Sequence, residues 1–336
     1  MGIIQDSLLG AHEMSKPDTF INKADFMQLM MQLDETDGIL PIPAILKPEV
    51  MFTGKQVLSL ILPKFTMKHE ANDVYIKDGE LLKGVLCKKT LGPTSNGIIH
   101  TIAKLLSNET AMDFMHNIQK VVNSWLQKCG YSVALDDCMT DEITRAKLDN
   151  VIESTIEHVT EVENLGKSLH IPLNQREKAS QQILGKILSR TGGILQKSMK
   201  QKNMLHSMIA AQSKGTVINI AQISACVSQQ SVDGTRIFNK DNPTERSLGC
   251  FAHNIDTPES KGFIKHSYME GLQPAEEYFH DVFQFCLCFI VLGEFCSSKN
   301  FYFNFFFVFY CLIFVFRYVL LVYFPAKFIF LFTNKK

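Results

Sequence analysis

Residues 214–237 run KGTVINIAQISACVSQQSVDGTRI. The side chains that stand out are a cation at the head, Lys214, four amides, Asn219, Gln222, Gln229 and Gln230, and a thiol, Cys226. Asp233 is the one carboxylate, and no histidine accompanies it. A lysine suits a polyanion as a point charge. Amides hold a backbone or a ligand by neutral hydrogen bonds. The stretch carries no acid–base pair. Ala221, Ser224, Ala225 and Ser228 lie between the amides, and small residues let another backbone approach closely. Two readings follow: tight packing within one domain, or a surface that holds a ligand or a neighbouring element.

A second group with chemical potential is acidic: Asp136, Asp137, Asp141 and Glu142. Carboxylates at this spacing could hold a metal. They also fall at the start of a helix, where acids complement the dipole, and that reading is preferred. The nine cysteines include no C-x-x-C pair, which argues against a zinc ribbon or finger. No P-loop, G-x-G-x-x-G, H-E-x-x-H or G-x-S-x-G is present. The formal net charge is +0, so the chain as a whole is not a polyanion binder by bulk charge. Residues 1–10 have neither a basic start nor a long apolar run, so no secretory signal is expected, and reduced intracellular thiols are the default.

The elements that must position these residues follow from periodicity. A helix is expected over 21–34, with Asn22 as its cap and Phe26, Leu29, Met30 and Leu33 on one face. LPIPAILKP (40–48) should be extended, with little sheet pairing. A short helix is expected in 53–63, stopped before Pro63, and a hairpin in 74–92 turning at Asp78-Gly79. Residues 111–130 predict a helix with Met115, Ile118, Val122, Trp125 and Cys129 on one face, Trp125 as a core anchor and Gly130 past its end. Thr140 caps a long polar helix to about Gly166. After Pro172, Asn174 and Glu177 suggest a capping box. A second long helix then runs towards His206, with Gly192-Gly193 as its interruption, so the pair makes a projecting hairpin. Residues 214–229 are expected to form one helix with a small face. The fold class is therefore α+β: a mixed module with short strands and helices, then a mainly helical module with a long hairpin, then an apolar tail.

Several motifs, taken in order, resemble the largest subunit of multisubunit DNA-directed RNA polymerase, closest to the eukaryotic RNA polymerase II and large-DNA-virus branch. They are MGIIQDSLLG (1–10), LPIPAILKP (40–48), TGKQVLSLILP (53–63), NIQKVVNSWL (117–126), TIEHVTEVENLG (155–166), the 214–237 stretch and TPESKGFIKHSYMEGLQPAEEYFH (257–280). The resemblance implies a pore domain over 4–165 and a funnel domain over 185–282, which line the channel that admits nucleoside triphosphates. It implies that Lys214 approaches the triphosphate of the incoming nucleotide. It also implies that Ile218, Asn219, Ala221, Gln222, Cys226, Gln229, Gln230, Ser231, Gly234 and Arg236 face the bridge helix and trigger loop. In the nuclear enzyme the same stretch lines the amatoxin pocket. Ser228 stands where the family usually has glycine, and Thr235 where it has a basic residue.

The family reaction is nucleotidyl transfer to the RNA 3′ end on two magnesium ions held by the aspartates of NADFDGD. That motif does not occur in this sequence; KADFMQ (23–28) lacks its other aspartates. The resemblance therefore implies Mg2+ in the whole enzyme, bound by residues absent here, with no cofactor and no catalytic residue on this chain, which alone is expected to be inactive. Implied partners are the other polymerase subunits, especially the second-largest, with DNA template, RNA and nucleoside triphosphates met within the assembly. The implied location is the nucleus, or the cytoplasm for a viral protein.

The resemblance stops after His280, and the expectation is an internal slice of a subunit. The tail, residues 283–336, holds sixteen of the 25 phenylalanines. Residues 301–316 are uncharged but shorter than a bilayer requires, and extension to Phe324 buries Arg317. The tail is thus a membrane span only at that cost; translated noncoding sequence is the preferred reading. Two alternatives for the chain remain: an inactive gene remnant or truncated product, and a binding protein anchored through the tail.

Overall fold

The structure, a computed structural model, describes residues 1–33, 38–200, 202–232, 234–236, 247–252 and 255–281. The Phe-rich tail and Asp233 lie outside the described residues, so the readings of the tail stay expectations.

Caps and turns fix the local elements. Helix α1 is Gln5–Met14; strand β1, Phe20–Asn22, leads into α2, Lys23–Met30. The Asn22 side chain accepts from the Asp25 amide at 2.7 Å, as expected of a cap. Strand β2, Met51–Thr53, pairs antiparallel with β1 and runs into α3, Gly54–Ile61. Here the Gln56 amide donates to Thr53 Oγ1 at 3.3 Å while Gln56 Oε1 accepts from the Thr53 amide at 2.9 Å, a capping box. Between β1 and β2 the proline-rich 40–48 segment pairs only through an isolated bridge, Ile45 to Met51.

Strands β3 (Met67–His69), β4 (Val74–Lys77) and β5 (Glu80–Lys83) form an antiparallel sheet in the order β3-β4-β5. Asp78 and Gly79 both have positive φ, 51° and 85°, the backbone of the expected primed turn. Short helices α4 (Lys88–Leu91) and α5 (Ile98–Leu105) precede α6, Asn108–Cys129, which Ser107 caps through the Thr110 amide at 3.1 Å. On α6, Ile118, Val122 and Trp125 are buried as expected, whereas Cys129 is exposed. These side chains join one core with α1, α2, α3 and the three-stranded sheet, in which the rings of Phe26 and Phe52 stack at 4.2 Å.

The second half is mainly helical: α7 (Leu135–Cys138), α8 (Glu142–Ser168), α9 (Leu173–Leu184), α10 (Ile187–Ser198), α11 (Met204–Ala211) and α12 (Val217–Ser224). Short strands follow: β6 (Ser228–Gln229), β7 (Ser231–Val232), β8 (Thr235–Arg236) and β9 (Phe263–Ile264). Four expectations are corrected here. Asp141, not Thr140, is the residue before α8. Pro172, not Asn174, precedes α9, so Asn174 and Glu177 are not a capping box but lie within the helix; proline at a helix start has its φ pre-set. The chain after α9 breaks at Gly185–Lys186 and again before Asn203, not at Gly192-Gly193, which lies inside α10. Gly192 is needed for another reason: an added Cβ would stand 2.6 Å from Val217 Cγ1 of α12. Finally, 214–229 is not one helix. It stops at Ser224 and gives way to β6, paired with β9 (Ser228 to Ile264, Gln229 to Phe263).

The molecule divides into two compact units. Of the described residues, one unit takes those within 1–229, 257–259 and 263–273; the other takes 230–232, 234–236, 247–252, 255–256, 260–262 and 274–281. Within the second, β7 and β8 pair across Gly234, the Gln230 amide donates to the Gly262 carbonyl at 2.9 Å, and Phe251 stacks on Phe279. The architecture is mixed α+β, with short strands and long helices. Among the described residues, no helix is long and apolar enough to cross a membrane.

Candidate functional site: the lysine-headed stretch at α12

In the first unit, Lys214 and Gly215 are exposed on the turn between α11 and α12. Gly215 has φ 75°, which lets the chain reverse into the helix. Asn219 acts locally. Its Oδ1 accepts from the amide and the hydroxyl of Thr216, both at 2.8 Å, and so fixes the helix start. Ile218 is 47% exposed, and Gln222, one turn on, lies on the same face. Ala221, with Ile220 and Ser224, is on the buried face against α10. A small cavity lined by Gly192, Met199, His206 and Val217 lies beneath. The face that carries Ile218 and Gln222 and the turn that carries Lys214 are therefore presented outward, while Ala221 packs.

The end of α12 is heavily tied. Its last carbonyls, which the helix itself cannot satisfy, find other donors: Gln222 O accepts the Tyr268 amide at 3.2 Å and Ile223 O the Met269 amide at 3.0 Å. Ser224 O accepts from Arg145 Nη1 at 3.4 Å, and Ser224 Oγ donates to Cys138 O at 2.7 Å. Cys226 is fully buried. Burial pushes its thiol up to about 12, the Arg145 guanidinium opposing the rise and the Glu270 carboxylate adding to it. Such a thiol is neutral and inert, a packing group. Gln229 sits in β6. Ser228 has φ 75°, the left-handed region that favours glycine.

Gln230, Ser231, Gly234 and Arg236 belong to the second unit. Gln230 and Arg236 are buried, Ser231 is half-buried, and Gly234 is exposed at the hairpin turn. The structure thus places Lys214, Ile218 and Asn219 at the start of α12, with Gln222 one turn further along the face of Ile218. It places Ala221 and Cys226 in the packing beneath, and the last four residues in a separate hairpin.

The acidic cluster serves the structure. Asp137 Oδ2 accepts from the Ala134 amide at 2.9 Å and Oδ1 from the Met204 amide at 3.1 Å, so both oxygens already have donors. Asp141 and Glu142 open α8, where acids complement the helix dipole. Among the described residues, no three of Asp136, Asp137, Asp141 and Glu142 bring their carboxylates together as a metal requires, so the cluster does not fit the magnesium that a polymerase subunit implies. Sequence reasoning missed Arg145 and Glu270 as parts of this region. Arg145 and Asp149 are a visible i,i+4 pair, but nothing local marks Glu270 as a second partner of Arg145.

Comparison with known families gives two matches, one after the other along the chain. Residues 1–138 match the family described as RNA polymerase Rpb1, domain 3, and residues 159–264 match RNA polymerase Rpb1, domain 4. The two domains occur in the order of one subunit and together span most of the described chain. The chain belongs to the Rpb1 family, the largest subunit of RNA polymerase, and hence to a multisubunit nucleotidyltransferase.

Proposed function

We propose that this chain forms part of the wall of the channel through which nucleoside triphosphates reach an RNA polymerase active site, residues 4–165 as the pore domain and 185–282 as the funnel domain. The observation that carries the reading is Lys214. It is exposed on a turn that a positive-φ glycine and a capped helix hold in place, and an ammonium so held suits a triphosphate. Ile218 and Gln222 then offer a neutral face to moving parts of the enzyme. Template-directed RNA synthesis belongs to the assembly with the second-largest subunit, on DNA and with magnesium held elsewhere. The isolated chain has no polymerase activity; RNA synthesis by it with magnesium and nucleotides would overturn this. The place of action is the nucleus, or the cytoplasm for a viral enzyme.

The test is Lys214→Ala in the assembled polymerase. An exposed lysine contributes little to folding, so assembly should persist. The apparent KM for nucleotides should rise about tenfold, a factor worth ~1.4 kcal/mol, with a smaller change in kcat. An unchanged KM contradicts the role given to Lys214.

A further inference from the structure

Helix α8 and the 265–270 segment face each other with charges in antiparallel register. Glu153 meets Lys265 at 3.5 Å, and two turns earlier Arg145 meets Glu270. Arg145 Nη2 also bonds Asp149 at 3.1 Å, while its Nη1 reaches the Ser224 carbonyl at the end of α12. Glu270 is held in turn: its Oε2 accepts from the amide and hydroxyl of the buried Ser267, at 3.1 and 3.2 Å. The turn thus fixed sends the Tyr268 and Met269 amides onto the Gln222 and Ile223 carbonyls, and the His266 carbonyl onto the Val227 amide.

We propose that Arg145 and Glu270 are a positioning pair that latches the end of α12 and the 226–229 backbone to α8. One guanidinium joins three elements: its own helix, the carbonyl end of α12 and the turn that supplies that end with amides. An exposed ion pair does little of this kind. Here the side chains are 26% and 33% exposed, and the carboxylate is held by further hydrogen bonds. Without the pair, the last turn of α12 keeps its helix but loses a fixed exit direction. The consequence for nucleotide binding rests on the function proposed above; the latch itself does not.

The test uses the full chain and site-resolved alkylation of its cysteines, with no polymerase assay. Cys226 is fully buried beside the latch, whereas Cys87 is buried in the core of the first half. Arg145→Gln, Glu270→Gln and the double variant are treated with N-ethylmaleimide. Each single change should raise the Cys226 rate about tenfold by local opening and leave Cys87 unchanged. The double variant should be faster by less than the product of the two single effects, because both singles lose the shared ion pair. No change at Cys226, a parallel rise at Cys87, or fully multiplying effects in the double variant overturns the latch. Those outcomes leave the Lys214 experiment untouched, so the two proposals fail separately.

Discussion

The carboxylate of Asp137 accepts the main-chain amide of Met204 at 3.1 Å, while the Asp137 carbonyl accepts from Asn203 Nδ2 at 2.8 Å. Tyr131 Oη donates to the Met204 carbonyl, and Lys16 Nζ to Ser207 Oγ at 2.9 Å. Residues of the segment matched to Rpb1 domain 3 thus anchor the start of α11, which belongs to the domain 4 match. Asp137→Ala should remove this acceptor from the half-buried Met204 amide, a cost of about 0.5–1.5 kcal/mol. Hydrogen exchange at Met204 should accelerate more than exchange in α6.

Ser228 is a serine held at φ 75°. A β-carbon there costs roughly 1–2 kcal/mol. Ser228→Gly should therefore stabilise the chain by about 1 kcal/mol in urea unfolding, whereas Ser228→Ala should not. The β6–β9 pairing explains why the strain persists: the strand bonds fix this backbone on the partner strand.

His12 is buried, with Nδ1 2.7 Å from the Leu86 carbonyl, and burial lowers its pKa from the ordinary 6.5. The hydrogen bond to the Leu86 carbonyl opposes the fall, as does Glu13, while Lys16 and His206 add to it. Above pH 6.5 the ring is neutral both folded and unfolded. Below it the unfolded chain takes the proton first, so stability should fall as pH drops from 6.5 to the depressed folded value and then level off. Urea midpoints across that range should show the fall, and His12→Gln should flatten it.

Gly192 faces Val217 so closely that a methyl group meets both its side chain and, at 3.1 Å, its carbonyl. Gly192→Ala should cost about 1–3 kcal/mol by overpacking. Gly193, in open space, should gain slightly from alanine as a better helix former, by up to ~1 kcal/mol. Thermal unfolding of the two variants should move in opposite directions.

These cases also mark what is legible in the sequence. The caps at Asn22 and Thr53, the Asp78-Gly79 turn and the buried stripe of α6 are local events, set by residues within a turn or two of one another. The closeness that requires Gly192 and the end of α12 at Ser224 are not. They depend on Val217, on Phe263 and Ile264, and on Tyr268, which only the fold brings near. The same holds at the site. The spacing of 214–229 suggests one helix with a row of amides; strand pairing from a distant segment splits it. Asn219 caps its own helix, and Asp137, which reads with its neighbours as a charged helix start, serves the start of α11. The family motifs are legible because they are contiguous. The Arg145–Glu270 pair is not, since its halves lie far apart in sequence.

The measurement that bears most directly on the central claim is co-purification from the cells that make this protein, with a tag on the chain and quantitative mass spectrometry of what elutes. The account predicts the second-largest RNA polymerase subunit in near-equal amount with the tagged chain. Recovery of the chain without any RNA polymerase subunit would contradict it.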